Sequence, residues 1–151
     1  MKFTKIIITT TALLLGGQVL AGTVISTPSH GAMMGTSGND IFELSSDVTA
    51  ATGNGGRDEF SYYGSISQPV TITDFNVNND ILDVSYLLSG NPTDASKYVS
   101  ASASSPYDTV ISVDVSGSGS NYKPLFVLKG VSMSTYGSPQ TALNQGSLIL
   151  R

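Results

Sequence analysis

The sequence predicts an all-β (mainly β) fold in which short strands are joined by turns. The chain of 151 residues contains 16 glycines, is rich in serine, threonine and asparagine, and has only 12% charged residues. Glycine and small polar side chains favour turns, and so low a charge content disfavours long helices stabilised by ion pairs. A chain of this length forms one domain with its own hydrophobic core. Cysteine is absent, so packing or a bound metal, and not disulfides, must stabilise the fold.

The first element, residues 1–21, is predicted to be a cleavable signal peptide. Lys2 and Lys5 precede the apolar stretch of residues 6–15, and Val19, Leu20 and Ala21 provide the cleavage site. The apolar stretch is shorter than the roughly 20 residues that a membrane-spanning helix needs. We therefore expect cleavage after Ala21, secretion to the outside of the cell, and no membrane span in the mature chain.

Cleavage also changes the charge of the chain. The loss of the two signal lysines takes the net charge from −4 to −6. An acidic surface repels phosphate backbones and attracts cations, so nucleic acid is not an expected partner. Residues 22–34, which include Pro28 and Gly31, are predicted to form a flexible N-terminal arm. Residues 35–151 then form the single domain.

Two segments at the start of the domain share one nine-residue pattern. GTSGNDIFE covers residues 35–43, and GNGGRDEFS covers residues 53–61. Both fit G-x-x-G-x-D-x-U-x, with U a large apolar residue, which is the repeat of parallel β-rolls that bind calcium. Glycine allows a positive φ that turns carbonyl oxygens inward, and the aspartate adds an anionic oxygen. The apolar residues, Phe42 and Phe60, are expected to pack inside the strands.

The spacing of the two repeats strengthens this interpretation. They start 18 residues apart, so a coil with two repeats per turn stacks residues 35–40 beside residues 53–58, with one calcium ion between them. The intervening residues 44–52 have Thr49 at the aspartate position and no glycine, so the opposite edge should hold no metal. Either segment alone would be an ordinary turn, but their shared phase favours calcium. The candidate ligand residues in the two loops are Asp40, Asp58, Gly35, Ser37, Gly38, Gly53, Gly55 and Gly56.

Residues 74–85 carry a partial ligand pattern of their own. Oxygen-bearing side chains alternate from Asp74 to Asp80, as in the first half of an EF-hand loop. The pattern fails at Ser85, where an EF-hand has a bidentate glutamate, and no amphipathic helices flank the loop. We predict instead that ITDF is a strand, NVNND its turn, and ILDVSYLL a second strand that ends in a helical turn. Asp74 stays a candidate ligand that approaches the calcium from the side.

The remaining residues predict further strands and one or two short helices. Strands are expected over residues 98–104, 109–116, 125–128 and 148–150, and the second of these places Ile111, Val113 and Val115 on one face. Helices are expected over residues 93–98, with Thr93 as the N-cap, and over residues 141–144.

The order of these motifs resembles the end of RTX (repeats-in-toxin) proteins. A GxxGND turn, then GGRDEFSY, then VTITDFNVNNDILDVSYLL is similar to the type I secretion C-terminal target domain of large bacterial adhesins, and to the tail of secreted RTX metalloproteases. DTVISVDVSG, PLFVLKGV and SLILR extend the resemblance over residues 35–151. Val70 stands where the family has the first aspartate of DxIxDF. A second calcium site near Asp74, which the resemblance would otherwise imply, therefore lacks that aspartate.

The resemblance implies a calcium-stabilised parallel β-roll turn followed by a β-sandwich-like cap. We expect a secreted calcium-binding module with a structural or adhesive role at the cell surface or in a matrix, which folds on calcium outside the cytoplasm. The alternative is a targeting domain recognised by a type I (ABC) exporter, and a weaker one is a carbohydrate-binding module. Catalysis is not expected, because without cysteine, and with the sole histidine at His30 in the arm, neither a Ser-His-Asp nor a Cys-His arrangement can form inside the domain.

Overall fold

The computed structural model describes residues 7–15, 18–26, 31–90 and 92–151, which fold mainly into two six-stranded sheets. The prediction of a mainly β fold is thereby confirmed. The strands are β1 (Ile7–Leu15), β2 (Gln18–Ser26), β3 (Gly31–Met34), β4 (Asp40–Leu44), β5 (Val48–Thr52), β6 (Glu59–Tyr62), β7 (Val70–Ile72), β8 (Ile81–Asp83), β9 (Val99–Ala103), β10 (Thr109–Val113), β11 (Lys123–Leu128) and β12 (Leu148–Ile149).

Successive strands from β2 to β8 alternate between the two sheets. The first sheet has the order β1-β2-β4-β6-β8-β12, and the second has the order β3-β5-β7-β11-β10-β9. The neighbours β2, β4, β6 and β8 are parallel, as are β3, β5 and β7. Each turn of the chain therefore adds one strand to each sheet. Phe42 lies opposite Phe60 in this register, and Phe60 lies opposite Leu82.

The hydrophobic core includes the inward faces of these strands. Along β4, Asp40, Phe42 and Leu44 are buried while the residues between them are exposed, which is the alternation expected of a strand with one face on the core. The rings of Phe42 and Phe60 stack with centroids 4.8 Å apart, and Phe75 packs against Phe60 at 6.1 Å. Burying each such ring stabilises the fold by about 1.5–3 kcal/mol.

The C-terminal part completes both sheets. The antiparallel strands β9, β10 and β11 join the second sheet through a parallel pairing of β11 with β7, and β12 joins the first sheet beside β8. Two short α-helices, α1 (Met133–Tyr136) and α2 (Pro139–Gln145), precede β12. Two 3₁₀ turns lie at Ser85–Leu87 and Ala95–Lys97. No helix in the described ranges has the length and apolar composition needed to cross a membrane.

Two details of this part differ from the sequence-based expectations. The 3₁₀ turn at Ala95–Lys97 is capped by Asp94, whose side chain accepts a hydrogen bond from the Ser96 amide. Thr93 is not the cap, because the turn begins later than expected. The strand around Ile111 ends at Val113, and Val115 is 51% exposed. The alternation therefore stops where the chain turns away from the sheet.

The N-terminal residues also form strands. β1 and β2 pair as an antiparallel hairpin, and residues 23–26 of β2 pair with β4. Cleavage after Ala21 would remove β1 and residues 18–21 of β2, and keep these pairs with β4. Residues 31–34 of the expected flexible arm lie in β3, because Met33 is buried in the core. Pro28 and His30 lie outside the described residues.

Candidate metal site

Three loops lie side by side at one edge of the fold. Loop 1 (residues 35–39), loop 2 (residues 53–58) and loop 3 (residues 73–80) each connect a strand of the second sheet to the next strand of the first sheet. The Asn54 side chain donates a hydrogen bond to the Gly35 carbonyl at 2.8 Å, and the Arg57 amide donates one to Asn39 Oδ1 at 2.7 Å. The structure thus brings together the two glycine-rich loops that the 18-residue spacing places in register.

Three aspartates form a row across these loops, which we call the aspartate row: Asp40, Asp58 and Asp80. All three are buried, with 1%, 2% and 4% of their surface exposed. Asp58 Oδ1 accepts a hydrogen bond from the Asp40 amide at 2.9 Å, and Asp80 Oδ1 accepts one from the Asp58 amide at 3.0 Å. The carboxylates of Asp58 and Asp80 therefore bind the backbone of the preceding turn, and do not simply face the carboxylate beside them.

The second carboxylate oxygen distinguishes Asp58 from the rest of the row. Asp40 Oδ2 accepts a hydrogen bond from the Thr36 amide at 2.6 Å, and Asp80 Oδ2 accepts one from the Asn76 amide at 2.9 Å. Asp58 Oδ2 faces Gly53, and no donor in the described part of the chain binds it. This oxygen is therefore available to a cation.

Gly35 and Gly53 are required by lack of space. A β-carbon on Gly35 would lie 2.5 Å from the Gly53 carbonyl oxygen and 2.7 Å from Asp40 Oδ2. One on Gly53 would collide with Asp58 Oδ2. Glycine therefore lets carboxylate and carbonyl oxygens approach the backbone closely at these two positions. The expected positive φ is not the reason here.

Positive φ occurs instead in the middle of loop 2. Asn54, Gly55 and Gly56 have φ of 70°, 143° and 92°, and a β-carbon on Gly56 would also collide with the Gly38 carbonyl. In loop 1, the Gly38 amide donates a hydrogen bond to the Thr36 hydroxyl. Ser37, one of the predicted ligand residues, is exposed at the tip of that loop.

Asp74 anchors loop 2 from the next turn. Its carboxylate accepts hydrogen bonds from the amides of Gly53 at 2.8 Å and Asn54 at 2.7 Å. The side chain is otherwise exposed. Asp74 is thus beside the predicted site, where it holds the glycine loop in place.

Asp80 is the member of the row that the nonapeptide pattern missed. Asp40, Asp58 and Asp80 each precede a strand position filled two residues later by a large apolar side chain, respectively Phe42, Phe60 and Leu82. That D-x-U signal repeats three times, but the last interval is 22 residues and not 18. The strand pairs show that three of the four extra residues lie in the connection from β6 to β7 (residues 63–69) and one lies in loop 3. The Asn79 side chain of loop 3 donates a hydrogen bond to the Gly56 carbonyl, which continues the stacking of the loops.

The electrostatics of the row favour a bound cation. Burial raises the pKa of Asp58 from 3.8 to about 6, against the stabilising hydrogen bond from the Asp40 amide, and repulsion from Asp80, Asp40 and Asp74 raises it further. Burial also raises the pKa of Asp80, with a contribution from Asp74. Since the charges that act on these carboxylates are negative, a cation would relieve both the desolvation and the repulsion.

A contrasting carboxylate lies in the C-terminal part. Asp114 is buried, and its oxygens accept hydrogen bonds from the hydroxyls of Ser116 and Ser118 and from the amides of Ser116, Ser120 and Asn121. These bonds, led by the two hydroxyls, hold its pKa well below the usual range. Asp114 is satisfied by the protein alone, and Asp58 is not.

The donors at the row fit calcium in their chemistry. Carboxylate and carbonyl oxygens are the ligands of hard divalent cations such as calcium. In the ranges that the structure describes, no group of three or more histidine, cysteine or acidic side chains is arranged to hold a metal. A calcium ion between loops 1 and 2 would therefore be held by Asp58 and Asp40 together with backbone carbonyls such as that of Gly53.

Comparisons with known proteins leave the site to be judged on its own chemistry. No protein-family model, no curated protein and no solved structure matches this chain. The resemblance of the motifs to RTX proteins accordingly remains a prediction from the sequence. The buried aspartates, the close-packed glycines and the acidic surroundings are properties of the site itself.

Proposed function

We propose that this chain is a secreted calcium-binding module of the RTX type, with a structural or adhesive role at the cell surface or in a matrix. One observation carries the proposal: buried aspartates stack in successive loops, no described residue donates a hydrogen bond to Asp58 Oδ2, and burial together with repulsion from the neighbouring aspartates raises the pKa of Asp58. A hard cation bound beside Asp58 would lower the repulsion between these carboxylates.

The architecture supports the proposal in two ways. Strands β2 to β8 alternate between the two sheets, and within each sheet they pair in parallel. This is the arrangement expected of a short β-roll, in which the loops at one edge stack turn upon turn. The antiparallel strands β9 to β11 and the strand β12 extend both sheets, as a sandwich-like cap would. In this proposal the roll holds the calcium and the cap covers the open end of the core.

Calcium binding would couple folding to the extracellular environment. Where calcium is scarce, the repelling carboxylates destabilise the stacked loops, and where it is plentiful, its binding free energy becomes folding free energy. With a dissociation constant of about 0.1 mM, typical of extracellular modules, about 10 mM calcium adds about 2.7 kcal/mol to the free energy of unfolding. The N-terminal signal predicted from Lys2 to Ala21 is consistent with such an environment.

Isothermal titration of calcium chloride into the chain from Gly22 to Arg151 tests the proposal. We expect one calcium ion per chain, with a dissociation constant of about 0.1 mM, and much weaker binding of magnesium, which prefers a rigid octahedral site with several waters. Asp58→Asn should abolish the binding heat. A chain that takes up no calcium at about 10 mM would contradict the proposal, and so would equal binding by Asp58→Asn.

A further inference from the structure

A groove lies at the end of the first sheet opposite the aspartate row. The row precedes β4, β6 and β8, whereas the groove is formed by residues 64–66 after β6, by Tyr86 and Leu87 after β8, and by Asn121 and Lys123 at the start of β11. Gly64 follows Asp58 by six positions along the chain, a separation of about 20 Å in extended conformation. We call this feature the tyrosine groove, and it is distinct from the calcium site.

The tyrosine groove has a flat aromatic wall. Tyr86 is 60% exposed, and its ring packs on the ring of Tyr63, with centroids 4.2 Å apart and an angle of 35° between their planes. Burial, followed by a hydrogen bond to Tyr86, raises the pKa of Tyr63. Tyr86 thus packs on the Tyr63 ring while more than half of its own surface stays open to solvent.

Polar groups without partners face the same space. Among the residues that the structure describes, neither the side-chain amide of Asn121 nor the Lys123 ammonium binds another protein group, and both side chains are exposed. Lys123 is the charged residue in the lining, and no acidic side chain is part of it. The Asn121 backbone amide donates a hydrogen bond to the Asp114 carboxylate, and the negative charges of Glu43 and Asp83 act on Tyr63. Attraction of a negatively charged ligand would therefore depend on Lys123.

The dimensions suit a small ligand. The groove has a volume of about 360 Å³, which places it in the lower part of the range of small-molecule sites. Its lining combines apolar contacts, from Ile66, Leu87 and Val115, with the polar side chains of Asn121 and Lys123. A ligand that fits must have one apolar face for the ring and polar groups on its rim.

We propose that the tyrosine groove binds a pyranose sugar that carries a carboxylate, as in a polysaccharide of uronic acids. The C–H face of a pyranose packs on the exposed face of Tyr86, since an aromatic ring offers apolar area while its hydroxyl stays wet. The Asn121 amide binds ring hydroxyls. The Lys123 ammonium binds the carboxylate through a charge-assisted hydrogen bond, which is about twice as strong as a neutral one.

A titration followed by two-dimensional amide NMR tests this proposal, with the chain from Gly22 to Arg151 held in calcium. The probes are methyl glucuronide and its neutral counterpart methyl glucoside. We expect shifts confined to residues 64–66, 86–87 and 121–123, and binding of the glucuronide at least about fivefold tighter than that of the glucoside, the ratio that about 1 kcal/mol from one charge-assisted hydrogen bond gives.

Variants separate the two contacts. Tyr86→Ala should abolish binding of both sugars, and Lys123→Gln should reduce glucuronide affinity to that of the glucoside. Tyr107→Ala is the matched control, because Tyr107 is 74% exposed and precedes β10, whose other end lines the groove. This variant should bind like the parent chain.

Other results would overturn the proposal. Absence of shifts with either sugar, shifts elsewhere on the surface, or undiminished binding by a folded Tyr86→Ala would each do so. Should Tyr86→Ala fail to fold, Lys123→Gln still decides, because Lys123 is exposed and an unchanged preference for the glucuronide contradicts the contact. None of these outcomes depends on whether Asp58 binds calcium.

Discussion

At the scale of single residues, the surroundings of each aspartate determine what that aspartate can do. Asp114 accepts hydrogen bonds on both oxygens, from two serine hydroxyls and three backbone amides, and its pKa is lowered. Asp58 is buried among like charges and its pKa is raised to about 6. The Asp114 carboxylate therefore stabilises a turn through its hydrogen bonds. The Asp58 carboxylate lies among like charges, where a bound cation would lower the repulsion.

The substitution Asp58→Asn tests this view of the site. Asparagine keeps an oxygen for the Asp40 amide and removes the buried charge, so we expect the metal-free variant to be at least as stable as the parent chain. Its thermal midpoint should no longer rise with calcium, whereas about 10 mM calcium raises that of the parent by about 10 °C. Thermal unfolding with chelator and with calcium measures both effects.

Asp94→Asn is the matched control for this substitution. It also removes one negative charge, and asparagine caps the turn at residues 95–97 as well as aspartate does. Its calcium-dependent rise should equal that of the parent chain. A similar loss in both variants would mean that calcium acts on overall charge and not on the aspartate row.

The pH dependence of stability follows from Asp58. Its pKa is about 6 in the folded chain and 3.8 in its ordinary state, so between these values the folded chain binds more protons than the unfolded chain. The free energy of unfolding of the metal-free protein should therefore rise as the pH falls from 7 to 5, which is the reverse of ordinary acid destabilisation. Denaturant unfolding in chelator measures this trend, and Asp58→Asn should reduce it, leaving the contribution of Asp80, whose pKa is also raised by burial. A decrease over this window in the parent chain would contradict the assignment.

Substitution of Gly35 tests the close packing of the loops. In Gly35→Ala, the new methyl group meets the Gly53 carbonyl and Asp40 Oδ2, so we expect a loss of about 1–3 kcal/mol in the free energy of unfolding, together with weaker calcium binding. Gly130→Asn is the control, because Gly130 has open space around it and a φ of 72° that asparagine tolerates. Chemical unfolding of both variants decides, and equal effects would argue against the packing.

At the scale of elements, the sequence predicts strands where periodicity and spacing are regular. The two nonapeptides predict β4 and β6 and place Phe42 opposite Phe60, because their spacing of 18 residues, which is two repeats, equals one turn of the coil. Loop 3 escaped the pattern because Phe75 and Asn78 stand at its two glycine positions and the interval before Asp80 is longer. The role of Asp80 follows only from the strand pairing of β6 with β8. Asp94, and not Thr93, caps the 3₁₀ turn at residues 95–97. The sequence does not decide between them, because both residue types can cap a helical turn and the choice depends on the residue at which the turn begins.

The N-terminal strands give a prediction at this scale. All pairs between β2 and β4 lie at residues 23–26, after the expected cleavage site at Ala21. The chain that begins at Gly22 should therefore keep the stacked loops and show the same calcium-dependent rise in thermal midpoint as the full chain. Side-by-side thermal unfolding of the two chains is the measurement. A truncated chain that stays unfolded in calcium would show that β1 is needed by the fold.

At the scale of the whole molecule, the strands of the first sheet separate two chemistries. The aspartate row lies before β4, β6 and β8, and the tyrosine groove lies beyond their other ends. The stacked rings of Phe42 and Phe60 fill the core between the sheets. A cation that orders the loops at one edge therefore stabilises the strands whose far ends position Tyr86.

Calcium titration followed by circular dichroism, at a temperature where the metal-free chain is partly unfolded, tests the coupling of calcium to folding most directly. The native chain should gain β signal as calcium rises to about 10 mM, and the double variant Asp40→Ala plus Asp58→Ala should not respond. A native chain whose spectrum and thermal midpoint are the same in strong chelator as in calcium would contradict the account.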